Sequence, residues 1–185
     1  MAEKLGCFGD NDMSTLKVGT IQDHANGNTA ITIDSTGRTL QPAKPAFSTH
    51  LSNAVDITSS NNTIVFNSVV HNQGNHYNSS NGIFTAPVTG LYYLSAGIGV
   101  FLNTGSDSRY LVVYLQTGNT NYQDILLTGR GNAVNTSGST YAGVAVSGVV
   151  PLTANDAVRV KAEMENSSNA TVTDKSCYFT GYLVG

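Results

Sequence analysis

The chain has 185 residues, of which 40% are hydrophobic and only 11% charged, with a formal net charge of −3. A charged fraction well under the roughly 25% of ordinary soluble domains, with no run of Lys or Arg, argues against nucleic acid or an anionic membrane as a partner. Asn, Ser, Thr and 19 glycines fill the difference, which suits many turns and strands with uncharged outer faces rather than long amphipathic helices.

Residues 1–13 are mixed in character, lack periodicity and read as an N-terminal anchor or leader. The start, Met1 to Cys7, has no apolar core of signal-peptide length, so Sec-type export is not expected. No apolar stretch approaches the roughly 18 residues of a membrane span, so no membrane insertion is expected. Two short strand-like runs follow, Thr15 to Gln22 with Leu16 and Val18, and Thr29 to Asp34 with Ile31 and Ile33. Asn26-Gly27 and Ser35-Thr36-Gly37 punctuate them as turns. Such runs hold too few apolar side chains for a core, and an isolated hairpin is marginal in water. Either the segment is disordered by itself, or other copies of it bury its apolar faces. Residues 14–42 are read as a short β stalk and linker. Pro42 and Pro45 stiffen the connection around Ala43-Lys44, and residues 43–185 form one larger domain.

In that domain the alternation is clear. Tyr92, Leu94, Ala96, Ile98 and Val100 share one strand face, with Tyr93, Ser95, Gly97 and Gly99 opposite. Val158, Val160, Ala162 and Met164 alternate with Arg159, Lys161, Glu163 and Glu165, which predicts one buried and one wet face. Leu111, Val113 and Leu115 oppose Tyr110, Val112 and Tyr114, so both faces of that strand are apolar or aromatic. A sandwich needs only one inner face per strand. Tyr110, Val112, Tyr114 and Tyr141 are therefore expected to form an outward patch, and such a patch marks an interface.

The spacing of Phe66, Asn72, Tyr77, Phe84, Thr85-Ala86-Pro87-Val88, Gly90 and Tyr92 resembles the signature of the C1q-like globular head. This is the domain of complement C1q and its tumour-necrosis-factor-like relatives. Leu94 and Ala96 depart from it, standing where the family prefers aromatics. Pro45-Ala46-Phe47-Ser48 resembles the family's opening strand. The stretch from Ala145 to Leu152 with Asn155-Asp156-Ala157-Val158 resembles its penultimate hairpin, and Phe179-Thr180-Gly181-Tyr182-Leu183 its closing strand. The resemblance implies an all-β, C1q/TNF-like jelly-roll β-sandwich, homotrimeric, here with a short N-terminal β stalk. Ser14 to Gln22, Ala30 to Gly37 and Pro42 to Phe47 in turn resemble stalk segments of tail-fibre and other appendage proteins of tailed phages.

No catalytic motif is present: no Gly-x-Ser-x-Gly, no Gly-x-x-x-x-Gly-Lys and no His-Glu-x-x-His. His71 and His76 do not share a strand face by spacing, and Cys7 and Cys177 read as a tail thiol and a small buried hydrophobe. Asp107 and Asp124 are loop carboxylates of the type that holds calcium, but no metal or other cofactor is assigned. Arg109, Tyr122 and Arg130, in or beside polar loops, are the candidate ligand contacts. The expected function is non-enzymatic: a trimeric virion appendage, with residues 1–13 bound to other virion proteins and the head bound to a host surface glycan or protein. A capsid-decorating fibre and a bacterial surface or soluble C1q-like recognition protein are the alternatives.

Overall fold

The computed structural model describes residues 17–56, 62–102, 110–118, 124–132, 140–164, 170–172 and 177–185. The chain divides into two compact units, Met1–Ala43 and Lys44–Gly185. Residues 1–13, Asp107, Arg109, Tyr122 and Glu165 lie outside the described residues.

The first unit is a three-stranded antiparallel sheet of β1 (Thr20–Gln22), β2 (Thr29–Ile33) and β3 (Thr39–Leu40), in that order. Aspartates close both of its turns. Asp23 Oδ2 accepts the Asn26 N–H at 2.8 Å, and Asp34 Oδ1 accepts the N–H groups of Thr36 and Arg38, each at 2.9 Å. Such Asx contacts replace the turn's missing backbone partners. The Arg38 amide, followed by the Thr36 and Arg38 side chains, holds the Asp34 carboxyl down at about 2. No described residue of this unit is buried.

In the second unit the strands are β4 (Ala46–His50), β5 (Val55–Asp56), β6 (Asn62–Thr63), β7 (Ser68–Gln73), β8 (Tyr77–Asn78), β9 (Ile83–Thr85) and β10 (Gly90–Leu102). They continue as β11 (Tyr110–Gln116), β12 (Ile125–Asn132), β13 (Thr140–Leu152), β14 (Ala157–Met164), β15 (Ala170–Val172) and β16 (Tyr178–Leu183). They form two antiparallel sheets of seven and six strands. In the seven-stranded sheet, β10 pairs with β13 from Gly90↔Leu152 to Leu102↔Thr140. The other edge of β10 takes β16 and then β15; β4 and β7 continue beyond β16, and β5 beyond β15. In the six-stranded sheet β11 lies between β12 and β14, and the far edge of β14 carries β9 and β6, with β8 beyond β9. The result is the all-β jelly-roll sandwich that the strand pattern and the resemblance imply.

The core lies between the sheets. Tyr92, Leu94, Ala96, Ile98 and Val100 of β10 face Leu111, Val113 and Leu115 of β11 and Val158, Val160, Ala162 and Met164 of β14, all at most 2% exposed. Phe47 gathers the aromatic end of this core, with ring centroids of Phe84, Phe179 and Tyr77 at 4.7, 4.8 and 5.3 Å. The signature residues each have a physical task. Asn72 stands in for backbone across the β7–β8 turn, donating from Nδ2 to Tyr77 O at 2.8 Å and accepting the Tyr77 N–H at 3.1 Å. Tyr77 donates its hydroxyl to Phe66 O at 2.9 Å, and burial pushes its phenol up to about 12. Tyr92 donates to Val88 O at 2.8 Å, anchoring the entry to β10. Leu94 and Ala96, the two departures, are fully buried. Leu94 fills the space over Gly181, where a Cβ would meet its Cδ2 at 2.6 Å.

One expectation is corrected. The second face of β14 is not wet throughout, because Lys161 is 5% exposed and Gln116 beside it on β11 is 1% exposed. Lys161 stands in a central strand, paired with Tyr114 on one side and Thr63 on the other, so neighbours cover its stem. Burial first, and the Arg159 charge second, lower its pKa.

Two outcomes follow from this packing. Tyr92→Ala is expected to cost roughly 3–5 kcal/mol of stability, as for other large aromatic truncations in cores, measured by denaturant unfolding; a loss below about 1 kcal/mol would contradict the core position. In the first unit, the Asp34 turn stabilises the sheet fully above the unfolded carboxyl value of about 3.9 and loses that contribution as pH falls through about 2. The amide resonances of Thr36 and Arg38 should titrate across that window and stay flat in Asp34→Asn.

Candidate assembly and recognition face

The outward side of the seven-stranded sheet carries Leu91, Tyr141, Val149, Tyr178 and Tyr182 among its exposed apolar side chains, and its register can be followed from strand to strand. One row runs Val149, Tyr93, Tyr182, Ala46, and the next Ser147, Ser95, Thr180, Ser48, His71. A third runs Ala145, Gly97, Tyr178, His50. Near the far end of β10, Phe101 stands opposite Tyr141. Two aromatic pairs, Tyr93–Tyr182 at 5.3 Å and Phe101–Tyr141 at 4.9 Å, thus flank a strip of serine, alanine and glycine. Gly97 is glycine for a reason of space, since a Cβ there would meet the Tyr178 ring at 2.4 Å. The ring lies flat across the strip, and its hydroxyl is 3.4 Å from Ser95 Oγ.

Much of this face is open to solvent: Tyr141 is 74% exposed, Val149 55%, Leu91 48% and Tyr182 46%. Contiguous exposed apolar side chains of this kind mark an interaction surface. The face carries hydroxyls and aromatics, with His50 and His71 toward its β4–β7 edge and Lys44 donating from Nζ to Val184 O at 3.1 Å. Shape and apolar contact therefore govern what its aromatic ends can hold.

The residues expected to form the interface do not come together. Tyr110, Val112 and Tyr114 lie on the outer side of the six-stranded sheet, while Tyr141 lies on β13 of the other. Val112 and Tyr114 are 7% and 8% exposed within one chain, so they form no open patch. The Tyr114 hydroxyl donates to Glu163 Oε2 at 3.2 Å. Alternation reveals which residues share a face, but not which sheet the strand joins. Tyr178 and Tyr182, exposed, and Tyr93 and Phe101, half-buried, are legible in the sequence as aromatics on the non-core positions of β10 and β16.

Among the candidate ligand contacts, Arg130 is exposed on β12, its guanidinium carbon 4.4 Å from the centroid of the Tyr110 ring. This cation–π contact stations a cation at the end of the sandwich where β10, β11, β12, β13 and β14 begin or end. Arg109 and Tyr122 lie outside the described residues. Among the described residues no three His, Cys, Asp or Glu side chains gather as metal ligands do, and Asp124 packs against Gly118. Cys177 is buried, with Sγ 3.2 Å from the Gly99 amide nitrogen.

Residues 46–184 match the C1q domain. The chain belongs to the C1q family. Domains of this C1q/TNF-like class are generally trimeric, non-enzymatic recognition modules. The structure is similar to the globular domain of zebrafish complement 1qA protein, at 20% identity and a TM-score of 0.55, covering 77% of this chain and 98% of that one. It is also similar to murine APRIL, at 14% identity and a TM-score of 0.53, covering 76% and 99% of the two chains. At such identities the likeness is one of fold. No curated protein matches the sequence.

The two sheets give opposite expectations for two tyrosines. Tyr182→Asp should leave the C1q protomer folded and lower its assembly mass in light scattering. Tyr114→Asp should instead lower the unfolding temperature, because it sets a carboxylate beside Glu163 in a covered site. A Tyr114→Asp protein that unfolds normally but no longer assembles would return the interface to β11.

Proposed function

We propose that this chain is a homotrimeric, non-enzymatic adhesion protein of a phage virion appendage, a tail fibre or similar. In this reading residues 1–13 bind other virion proteins, the N-terminal sheet is the stalk, and the C1q domain binds a glycan or protein on the host surface. The observation that carries the trimer is the neutral aromatic face of the seven-stranded sheet, exposed on a member of a family whose domains are generally trimeric. Three copies can cover that face on one another and present three equivalent outer surfaces, so weak single contacts gain strength by multivalency.

The placement of the connections supports recognition. The chain between β10 and β11, β12 and β13, and β14 and β15 joins strand ends that register brings together, with Leu102 opposite Thr140 and Ala170, and Tyr110 opposite Asn132. The sequences there are rich in Asn, Ser and Thr, the residue types of adaptable polar contact. Arg130 and Tyr110 stand at their base. The virion assignment is supported by the resemblance of Ser14 to Gln22 and Ala30 to Gly37 to phage stalk segments.

Two measurements test the proposal. Light scattering should give three times the 19.4 kDa chain mass, and gold-labelled antibody to the C1q domain should decorate the fibres or tail of particles. A monomer would sink the trimer. Label on cell surfaces and none on particles would replace the virion reading with a surface recognition protein.

A further inference from the structure

The three-stranded unit before the C1q domain presents a physical problem: its described residues form a sheet without a buried core. None of its described residues is buried, and Ile21 is 46% exposed. Three short strands without a covered apolar face do not hold together alone in water.

Its register shows which face needs covering. Ile21 pairs with Ile31, and Ile33 lies two residues further along β2, so all three isoleucines share one side. Thr39 pairs with Ile33 on that side, and the Ile33 N–H donates to Gly19 O at 2.8 Å. The opposite side carries Thr20, Thr32 and Leu40. A slip of one residue would move the isoleucines to the threonine side, and the two aspartate-closed turns oppose it. Asp23, Asp34 and Arg38 fall in the turns, where Arg38 and Asp34 pair at 2.7 Å.

We propose that the Ile21–Ile31–Ile33 face is a self-association seam that packs against the same face of two further copies of this chain. The inference rests on the homotrimer reading above and adds the residues and the side of the sheet. Copies fit better than a separate partner because of size. Three isoleucines cover far less than the roughly 1,000 Å² an independent interface needs. Segments tethered to assembled C1q domains need no such area, since tethering gives them an effective concentration in the millimolar range. The stalk sheet then acquires its core only in the assembly, with each isoleucine meeting its own counterparts around the axis and the side of Thr20, Thr32 and Leu40 left outward.

The test uses the full chain and compares two substitutions on adjacent residues of one strand, Ile31→Asp and Thr32→Asp. Amide exchange over residues 29–33 is followed beside light scattering. The wild-type amides should be protected; Ile31→Asp should speed their exchange by about tenfold or more, while Thr32→Asp leaves it nearly unchanged and the C1q domains stay trimeric in both. Equal effects from the two substitutions, or unprotected amides in a trimeric wild type, overturn the seam and leave the trimer standing. A monomeric wild type overturns both. A cysteine at the seam separates copies from self-contact: Ile31→Cys, with Cys7→Ser, should form disulfides between chains under mild oxidation. Protection without any such disulfide would set the face against the chain's own residues and overturn the proposal.

Discussion

Strand β10 is the constraint on which the rest depends. It is hydrogen-bonded to β13 along its whole length and to β16 and β15 on its other edge, so it cannot shift against either. Its alternate residues must satisfy two different environments. Tyr92, Leu94, Ala96, Ile98 and Val100 fill the core, while Tyr93, Ser95, Gly97, Gly99 and Phe101 shape the outer face. A slip by one residue would exchange the two sets, losing the core and the outer face together. The landmarks that precede β10 converge on holding its entry: Tyr92 anchors to Val88, and Phe84 packs edge-on to Tyr92 at 5.7 Å.

The sandwich closes along β12 and β13, and this closure depends on missing side chains. A Cβ on Gly129 would lie 3.0 Å from Ala145 O, and one on Gly131 would lie 3.2 Å from Gly143 O. Thr128-Gly129-Arg130-Gly131 therefore reads as a strand whose inward positions are emptied so that β13 can approach, while Thr128 and Arg130 stay outside. The closure brings the polar connections of both sheets to one end. It also leaves two outer faces of different chemistry. One covers Lys161 and Tyr114, with Arg159 and Glu163 half-buried beside them; the other is aromatic and in large part open.

The two units solve the same problem at different scales. The C1q domain has a full inner core and leaves its aromatic outer face open. The N-terminal sheet has turns of good geometry and three isoleucines on one side, with Leu40 on the other, and none of its described residues is buried. Local hydrogen bonding from Asp23 and Asp34 sets its shape, and its stability must come from elsewhere. That division explains why a segment with weak hydrophobic content still carries clear strand alternation and well-formed turns.

Much of this was legible in the residues. The alternation in β10, β11 and β14 determined their core faces, the turn residues determined the N-terminal hairpins, and the spacing from Phe66 to Tyr92 determined the family and so the jelly roll. Those features are local, and local periodicity and turn chemistry are written in neighbouring residues. Only the tertiary structure decided that β11 and β13 belong to different sheets, that Tyr114 is covered while Tyr182 is open, and that Lys161 on a seemingly wet face is buried. These outcomes turn on pairings such as Tyr92 with Val150 and Leu183, which join residues far apart in the chain. No period of two or three residues encodes them, because a strand's own pattern is the same whichever neighbour completes its hydrogen bonds.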